Sequence, residues 1–339
     1  MEFLKAFSEE FLFIFCGVLT GLWISEITSK DKLPPFFFPR SKTFPDLANR
    51  SKDEQRRILV MACRETPLGF SVRTNSLLLS IAFLAVSASM AHPEESSDLA
   101  KQLANPVSSL VSVPFQENWD FGVGPENDTR FLINFQPVMP FVLNDKWNLI
   151  ARVIVPILSQ PPLASGGAAT FGVSDILLST FFSPSHAQGL IWGLGPILQL
   201  PTTSDPTLGT GKWAAGPTLV LVKQAGPWTY GMLMNQLWSY AGDEDRNNVN
   251  QTFLQPFLSH TMGAVTVTLS SESTGNWEAP SGDEWTVPIN LTASKVCKLG
   301  QKPISLALGG GVYAEKPDGG PEWKLRMVLT LLFPTAAKK

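Results

Sequence analysis

Past residue 91 the chain contains no stretch of eighteen apolar residues, which leaves no segment there able to cross a bilayer as a helix. Charge is scarce: Asp, Glu, Lys and Arg make up 16% of the chain, against ~25% in ordinary soluble domains. The formal net charge of −3 is spread along the sequence with no basic stripe, so a nucleic-acid partner is not expected. Cysteine occurs only at Cys16, Cys63 and Cys297. The first two fall in a segment read below as discarded, so no intramolecular disulfide is expected, and there is no CxxC for zinc. Histidine occurs only at His92, His186 and His260, too scattered for a metal centre. No G-x-S-x-G, P-loop or paired-carboxylate arrangement is present. Ser259 and His260 are adjacent and would point to opposite faces of a strand, and Ser185-His186 lacks a nearby carboxylate, so neither forms a nucleophile–base pair. An enzyme, a metal and a cofactor are therefore not expected.

What the chain has in quantity is apolar and aromatic surface punctuated by turn formers: hydrophobic residues are 44%, with 26 glycines, 27 prolines and ten tryptophans. From residue 113 it divides into apolar runs separated by turn signals. The expected strands are 113–123, 130–142, 146–159, 171–184, 190–203, 213–225, 228–242, 250–262, 264–275, 284–298, 303–317 and 322–334. Between them, tight turns such as Gly226-Pro227 and Gly263 alternate with connections that are mostly longer and rich in Gly, Pro, Ser, Asp and Asn. Within the strands the pattern has period two. From Trp323 to Phe333 the odd positions are Trp323, Leu325, Met327, Leu329, Leu331 and Phe333, while Glu322, Lys324, Arg326 and Thr330 stand between them; a pleated strand sends these sets to opposite faces. The face Trp228, Tyr230, Met232, Met234, Gln236, Trp238 and Tyr240 places aromatics at both ends and methionines between. A soluble β-sandwich shares such alternation but does not need tryptophan at both ends of an outward face. The expected fold is all-β: a transmembrane, antiparallel, up-and-down β-barrel of about twelve strands with a short N-terminal helical segment. Its short turns would face the periplasm and its longer loops the outside.

The expected domain boundaries follow. Residues 73–91 (RTNSLLLSIAFLAVSASMA) read as a signal peptide: Arg73 supplies positive charge, Leu77 to Val86 the apolar region, and Ser89-Met90-Ala91 a small-x-small cleavage site. Residues 1–72 are expected to be a mis-assigned start or a disordered extension, with Met61 as the preferred initiator. Residues 92–112 form a polar segment, helical around Ser97 to Ala104 and stopped by Asn105-Pro106. The barrel occupies 113–334, and 335–339 is a tail after Phe333. Export would place the mature chain in a Gram-negative outer membrane.

Several stretches resemble a known family of bacterial outer-membrane proteins, the MetA-pathway of phenol degradation "transporter" family. They are residues 98–115 (DLAKQLANPVSSLVSVPF), 132–150 (LINFQPVMPFVLNDKWNLI), 171–176 (FGVSDI), 208–217 (LGTGKWAAGP), 281–288 (SGDEWTVP), 316–323 (KPDGGPEW) and 331–334 (LLFP). The resemblance implies an outer-membrane channel or transporter, distantly similar to channels for fatty acids and aromatic compounds, and no established substrate. The chain departs from the fatty-acid channels in having fewer strands and only about twenty residues ahead of the first one. A full plug domain is not expected, and a short helix at 97–104 would sit in or just below the barrel.

If the apolar odd positions face lipid, Asn134, Gln136, Arg152, Asp175, Gln199, Asn235, Asn290, Lys324 and Arg326 face inward. Two readings of this set stand side by side: a polar lumen that conducts or binds a small solute, and cross-lumen pairs that simply fill the interior. Asp175 is the focal residue, because its strand is otherwise apolar and Arg152 lies on the preceding one. A pair across that hairpin would be structural; an unpaired Asp175 would mark a binding site. Trp228, Tyr230, Trp238, Tyr240, Trp285, Trp323 and Phe333 are the expected aromatic girdle. The loop clusters Asp243-Glu244-Asp245 and Asp283-Glu284 lack the ligand spacing of a calcium loop. Expected partners are membrane lipid and lipopolysaccharide, the barrel-assembly machinery and a small hydrophobic solute. The alternative is a structural or surface-binding barrel without transport.

Overall fold

The structure, a computed structural model, describes residues 93–162, 164–187 and 189–334. The leader, the segment upstream of it and the tail lie outside the described residues. A helix, α1 (Pro93–Leu103), precedes fifteen extended segments: β1 (Val111–Val123), β2 (Asp128–Phe135), β3 (Val138–Val142), β4 (Trp147–Gln160), β5 (Thr170–Val173), β6 (Ile176–Pro184), β7 (Leu190–Leu200), β8 (Lys212–Ala225), β9 (Trp228–Gly242), β10 (Asn250–Met262), β11 (Val265–Ser271), β12 (Ser273–Asn276), β13 (Trp285–Leu299), β14 (Lys302–Glu315) and β15 (Trp323–Phe333). Three pairs are halves of one strand, interrupted at Gln136-Pro137, at Ser174-Asp175 and at Glu272. The ladder carries on around the first two breaks, with Gln136 N donating to Pro114 O at 2.9 Å and Ser174 N to Pro156 O at 2.9 Å. The fold is therefore twelve strands, each antiparallel to its sequence neighbour. β15 pairs with β1 from Val111↔Phe333 to Phe121↔Trp323 and closes the sheet, which removes every free edge.

Each strand begins and ends within three residues of its expected bounds. The turns explain that fidelity. Three hairpins close on two residues with a glycine at φ +60 to +62 (Gly226, Gly263, Gly300), a conformation in which a side chain is strained. With 143–146 and 185–189 they form one end of the barrel. The other end carries 161–169, 201–211, 243–249, 277–284 and 316–322. The first connection there, 124–127, is a departure: it is four residues long, no longer than 143–146 across the barrel.

The two faces differ in chemistry. Outward positions along the strands are mostly apolar and exposed, among them Phe182, Leu194, Leu258, Leu269, Ile289 and Leu308, with Glu117 on β1 an exception. Strand pairing puts all nine tryptophans after residue 92 on this outer face, near one end or the other. Inward positions are mixed. One sector, on β10, β11, β13, β14 and β15, carries hydroxyls: Ser259 and Thr268 lie 2.8 Å apart and Thr261 and Thr266 3.0 Å apart, with Ser305 and Thr330 buried beside them. The opposite sector is apolar. Ile150, Phe181, Val220, Val222 and Leu233 pack together inside the barrel, so the interior is less polar than period two alone suggests.

That apolar sector holds the N-terminal segment. α1 ends where Asn105 Oδ1 accepts the Val107 amide at 3.1 Å and Pro106 follows, a local bond that competes with the helix. The helix starts a turn earlier than its expected Ser97. Leu99, Ala100 and Leu110 pack against Val296 and Leu332 at the tight-turn end, and Gln224 Nε2 donates to Lys101 O at 3.0 Å. Val107 then reaches into the apolar cluster. Gly193 makes room for it: a β-carbon there would lie 3.0 Å from Phe181 Cβ and 3.3 Å from Val107 Cγ1. The segment thus fills part of the lumen, as a short plug rather than a domain.

Candidate lumenal site

Beside the N-terminal segment the barrel holds a partly open cavity of about 310 Å³. Its floor includes Leu103, Asn105 and Leu110, and its wall the hydroxyl sector. Only three charged side chains line it: Arg152 on β4, Glu272 at the β11–β12 break and Arg326 on β15. Arg326 is fully engaged on one side. Its Nη1 and Nη2 donate to Glu272 Oε1 and Oε2 at 2.7 and 2.6 Å, and its Nε to Asn118 Oδ1 at 2.7 Å. This forked pair is the strong geometry for guanidinium and carboxylate. Arg326 lies opposite Gly309 and Lys324 opposite Gly311 on β14. Arg152 Nη2 donates to Gln136 Oε1 at 2.6 Å. Among the described residues no carboxylate lies at ion-pair distance from it.

A second group lies toward the loop end. Arg130 donates to Asp120 Oδ2 from Nε and Nη2 at 3.0 and 2.8 Å, and Tyr313 OH donates to Asp120 Oδ1 at 2.8 Å. Lys324 Nζ sits 5.0 Å from the Tyr313 ring centroid, a cation–π contact. Asn290 is 1% exposed, and neither its Oδ1 nor its Nδ2 has a hydrogen-bond partner.

Of the two arrangements open to Asp175, the structure shows the one without an Arg152 pair. Arg152 stands opposite Ser179 on the neighbouring strand, four residues or roughly 13 Å from Asp175 along it. Instead Asp175 Oδ2 accepts the Thr210 amide and hydroxyl, both at 2.7 Å, with Gln199 Nε2 at 3.4 Å and Gln199 also donating to Thr210 Oγ1 at 2.6 Å. The break at Ser174-Asp175 receives the connection 201–211: Ser174 Oγ donates to Leu208 O at 2.5 Å and Thr202 Oγ1 accepts the Ile176 amide at 3.0 Å. Asp175 and Gln199 are thus joined to this loop and lie apart from the Arg152 cavity, although Asp175 Oδ1 is left without a partner. Asn134 and Asn235 are inward and half-buried, paired in register with Gln116 and Thr218. Gln136, Arg152 and Arg326 are brought together at the cavity, and Lys324 lies next to it.

Glu272, Asn118, Asp120, Arg130 and Tyr313 were not among the expected inward residues. The signal was present for most of them. The alternation read at Val265, Val267 and Leu269 extends to Glu272, and Asn118 and Asp120 interleave with Phe115, Trp119 and Phe121.

The girdle residues lie at strand ends on the outer face. Trp228 meets the His260 ring at 4.4 Å, Phe121 stacks on Trp323 at 3.9 Å, and Trp277 meets Trp285 edge-on at 5.7 Å. His260 therefore points outward while Ser259 points in. Trp119, Trp147, Trp192, Trp213 and Trp277 are outward tryptophans that the expected set did not include.

Solved barrels share features of this architecture. An outer-membrane channel from Pseudomonas putida F1 is 17% identical, with 66% of this chain and 94% of that one covered and a TM-score of 0.49. The outer-membrane phospholipase A of Escherichia coli is 11% identical over 72% of this chain and 99% of that one, TM-score 0.39. A monoaromatic hydrocarbon channel is 8% identical over 75% and 96%, TM-score 0.39. No protein-family model and no curated protein sequence matches the chain.

Proposed function

We propose that the chain is an outer-membrane channel for small solutes with a hydrophobic or aromatic body. The observation that carries this reading is a closed barrel, apolar outside, that keeps a cavity of about 310 Å³ next to a short lumenal segment. The volume is at the low end of the ~300–1,000 Å³ of small-molecule sites, the scale of a single aromatic ring with substituents. The outward tryptophans and tyrosines serve as the two interfacial belts of a membrane barrel. Arg152, Gln136 and Arg326 contact the solute, and Lys324 sets the charge above them. Asp175 and Gln199 shape the loop end of the path, and Asn134 and Asn235 its middle.

The test is solute entry into liposomes holding the purified barrel. A labelled monoaromatic compound is expected to enter faster than a sugar of similar size. Equal entry at the protein-free rate, for the native barrel and for one with a loosened lumenal segment, contradicts the channel reading. That outcome favours a structural barrel, the reading supported by the close packing of Val107 against the inner wall.

The same membrane assignment makes a second prediction. Glu117 is the middle residue of β1, on its outer face, paired with Ile133 and Met327. A carboxyl there faces acyl chains, at a cost below the ~2–4 kcal/mol of a lipid-facing Lys or Arg. Glu117→Leu is expected to stabilise the barrel by about 1–2 kcal/mol, read as a higher urea midpoint in detergent or lipid. An unchanged or lower midpoint contradicts a lipid-facing Glu117.

A further inference from the structure

The cavity has a charge that the protein does not balance. Two arginines and one glutamate line it, and the glutamate is held by both terminal nitrogens of Arg326. Among the described residues Arg152 has the neutral side-chain oxygen of Gln136 as its one hydrogen-bond acceptor. Guanidinium remains charged at any accessible pH and carries five N–H donors, so most of its hydrogen-bonding capacity is uncommitted. Buried or half-buried charges in proteins are ordinarily paired. Glu272, the one carboxylate lining that space, is near enough to attract Arg152, but both its oxygens take their hydrogen bonds from Arg326, so two cations share one anion beside the cavity.

The rest of the wall describes the body of what would sit there. Leu103, Leu110, Leu233, Phe257, Val296 and Val328 line the cavity and supply apolar surface on several sides. The hydroxyls between them can accept or donate but bring no charge. Gln136, which lines the cavity with Arg152 and accepts from it, stands at the break between β2 and β3, where Pro137 interrupts the strand.

We propose that this cavity is a binding site for a small organic anion, an aromatic or short aliphatic monocarboxylate, whose carboxylate takes the free donors of Arg152 and whose apolar body lies toward the N-terminal segment. The proposal rests on the channel reading and narrows it from hydrophobic solutes to their acids. Arg152 acts as the counter-ion that makes the interior hospitable to a charge it would otherwise exclude. The Glu272–Arg326 pair beside it disfavours a solute with a second negative charge, because Glu272 lines the same space.

The test separates binding from passage. Purified full-length protein in detergent is titrated calorimetrically with benzoate and, separately, with benzyl alcohol, which matches its shape without the charge. Benzoate is expected to bind about tenfold or more tightly than benzyl alcohol, the effect of a charge-assisted bond over a neutral one. Arg152→Gln is expected to erase that preference while leaving the heat-modifiable gel migration unchanged, and Arg152→Lys to retain part of it. Equal binding of the two probes by the native protein overturns the proposal, as does a benzoate preference that survives in Arg152→Gln. Because no step of this assay requires transport, a barrel that binds benzoate but passes nothing leaves the anion site standing and removes the channel, and a barrel that passes neutral aromatics without preferring benzoate does the reverse.

Discussion

Val107→Asp is expected to open the barrel. Val107 is 7% exposed and packs on Ile150, Phe181, Val220, Val222 and Leu233, an apolar pocket in which a carboxylate has no partner. The strand ladder does not pass through it, so the barrel itself keeps its hydrogen bonds. Displacing the unpaired polar group favours withdrawal of the segment by about 2–3 kcal/mol, which raises the ratio of withdrawn to seated segment roughly 30- to 160-fold. In liposome-swelling assays the variant is expected to admit small sugars several times faster than the native protein. The companion substitution Gly193→Leu fills the same space from the barrel side and is expected to act in the same direction. If both variants swell liposomes at the native rate while migrating as folded barrels, residues 104–110 do not restrict the lumen.

Glu272→Ala is expected to be the most destabilising single change in the lumen. Among the described residues it leaves Arg326, 6% exposed, with Asn118 as its remaining acceptor. Removing one partner of a buried ion pair costs about 3–5 kcal/mol, and the lower end applies because the adjoining cavity can hydrate the guanidinium. The reading is the urea midpoint of the folded form, followed by tryptophan fluorescence. The double variant Glu272→Gln, Arg326→Gln removes both charges and is expected to recover most of the loss, since much of the single-variant cost is an unpaired charge rather than a lost bond. A double variant as unstable as the single one would show that packing, not charge, sets the effect.

The barrel was legible because three local signals recur along the chain and agree at most strands: period-two alternation, turn residues where φ must be positive, and aromatics at the strand ends. Strand bounds followed within three residues. The lumen was less legible for a physical reason. β4 and β6 are apolar on both faces, as Leu149, Ile150, Phe181 and Phe182 show, so alternation cannot tell which of them turn inward. The partner of Asp175 depends on how residues 201–211 fold back over a strand break, a contact across 35 residues of sequence that no local pattern encodes. Glu272 could have been found by extending the alternation of its own strand. Val107 could not: one valine in a polar segment carries no sign that it enters the barrel.

The most direct test of the account is heat-modifiable migration of the protein taken from an outer-membrane fraction. A closed twelve-stranded barrel in that membrane is predicted to stay folded in unheated detergent and to shift its mobility after boiling. Recovery in the soluble fraction, with identical migration before and after heating, would contradict both the membrane-spanning barrel and the channel built on it.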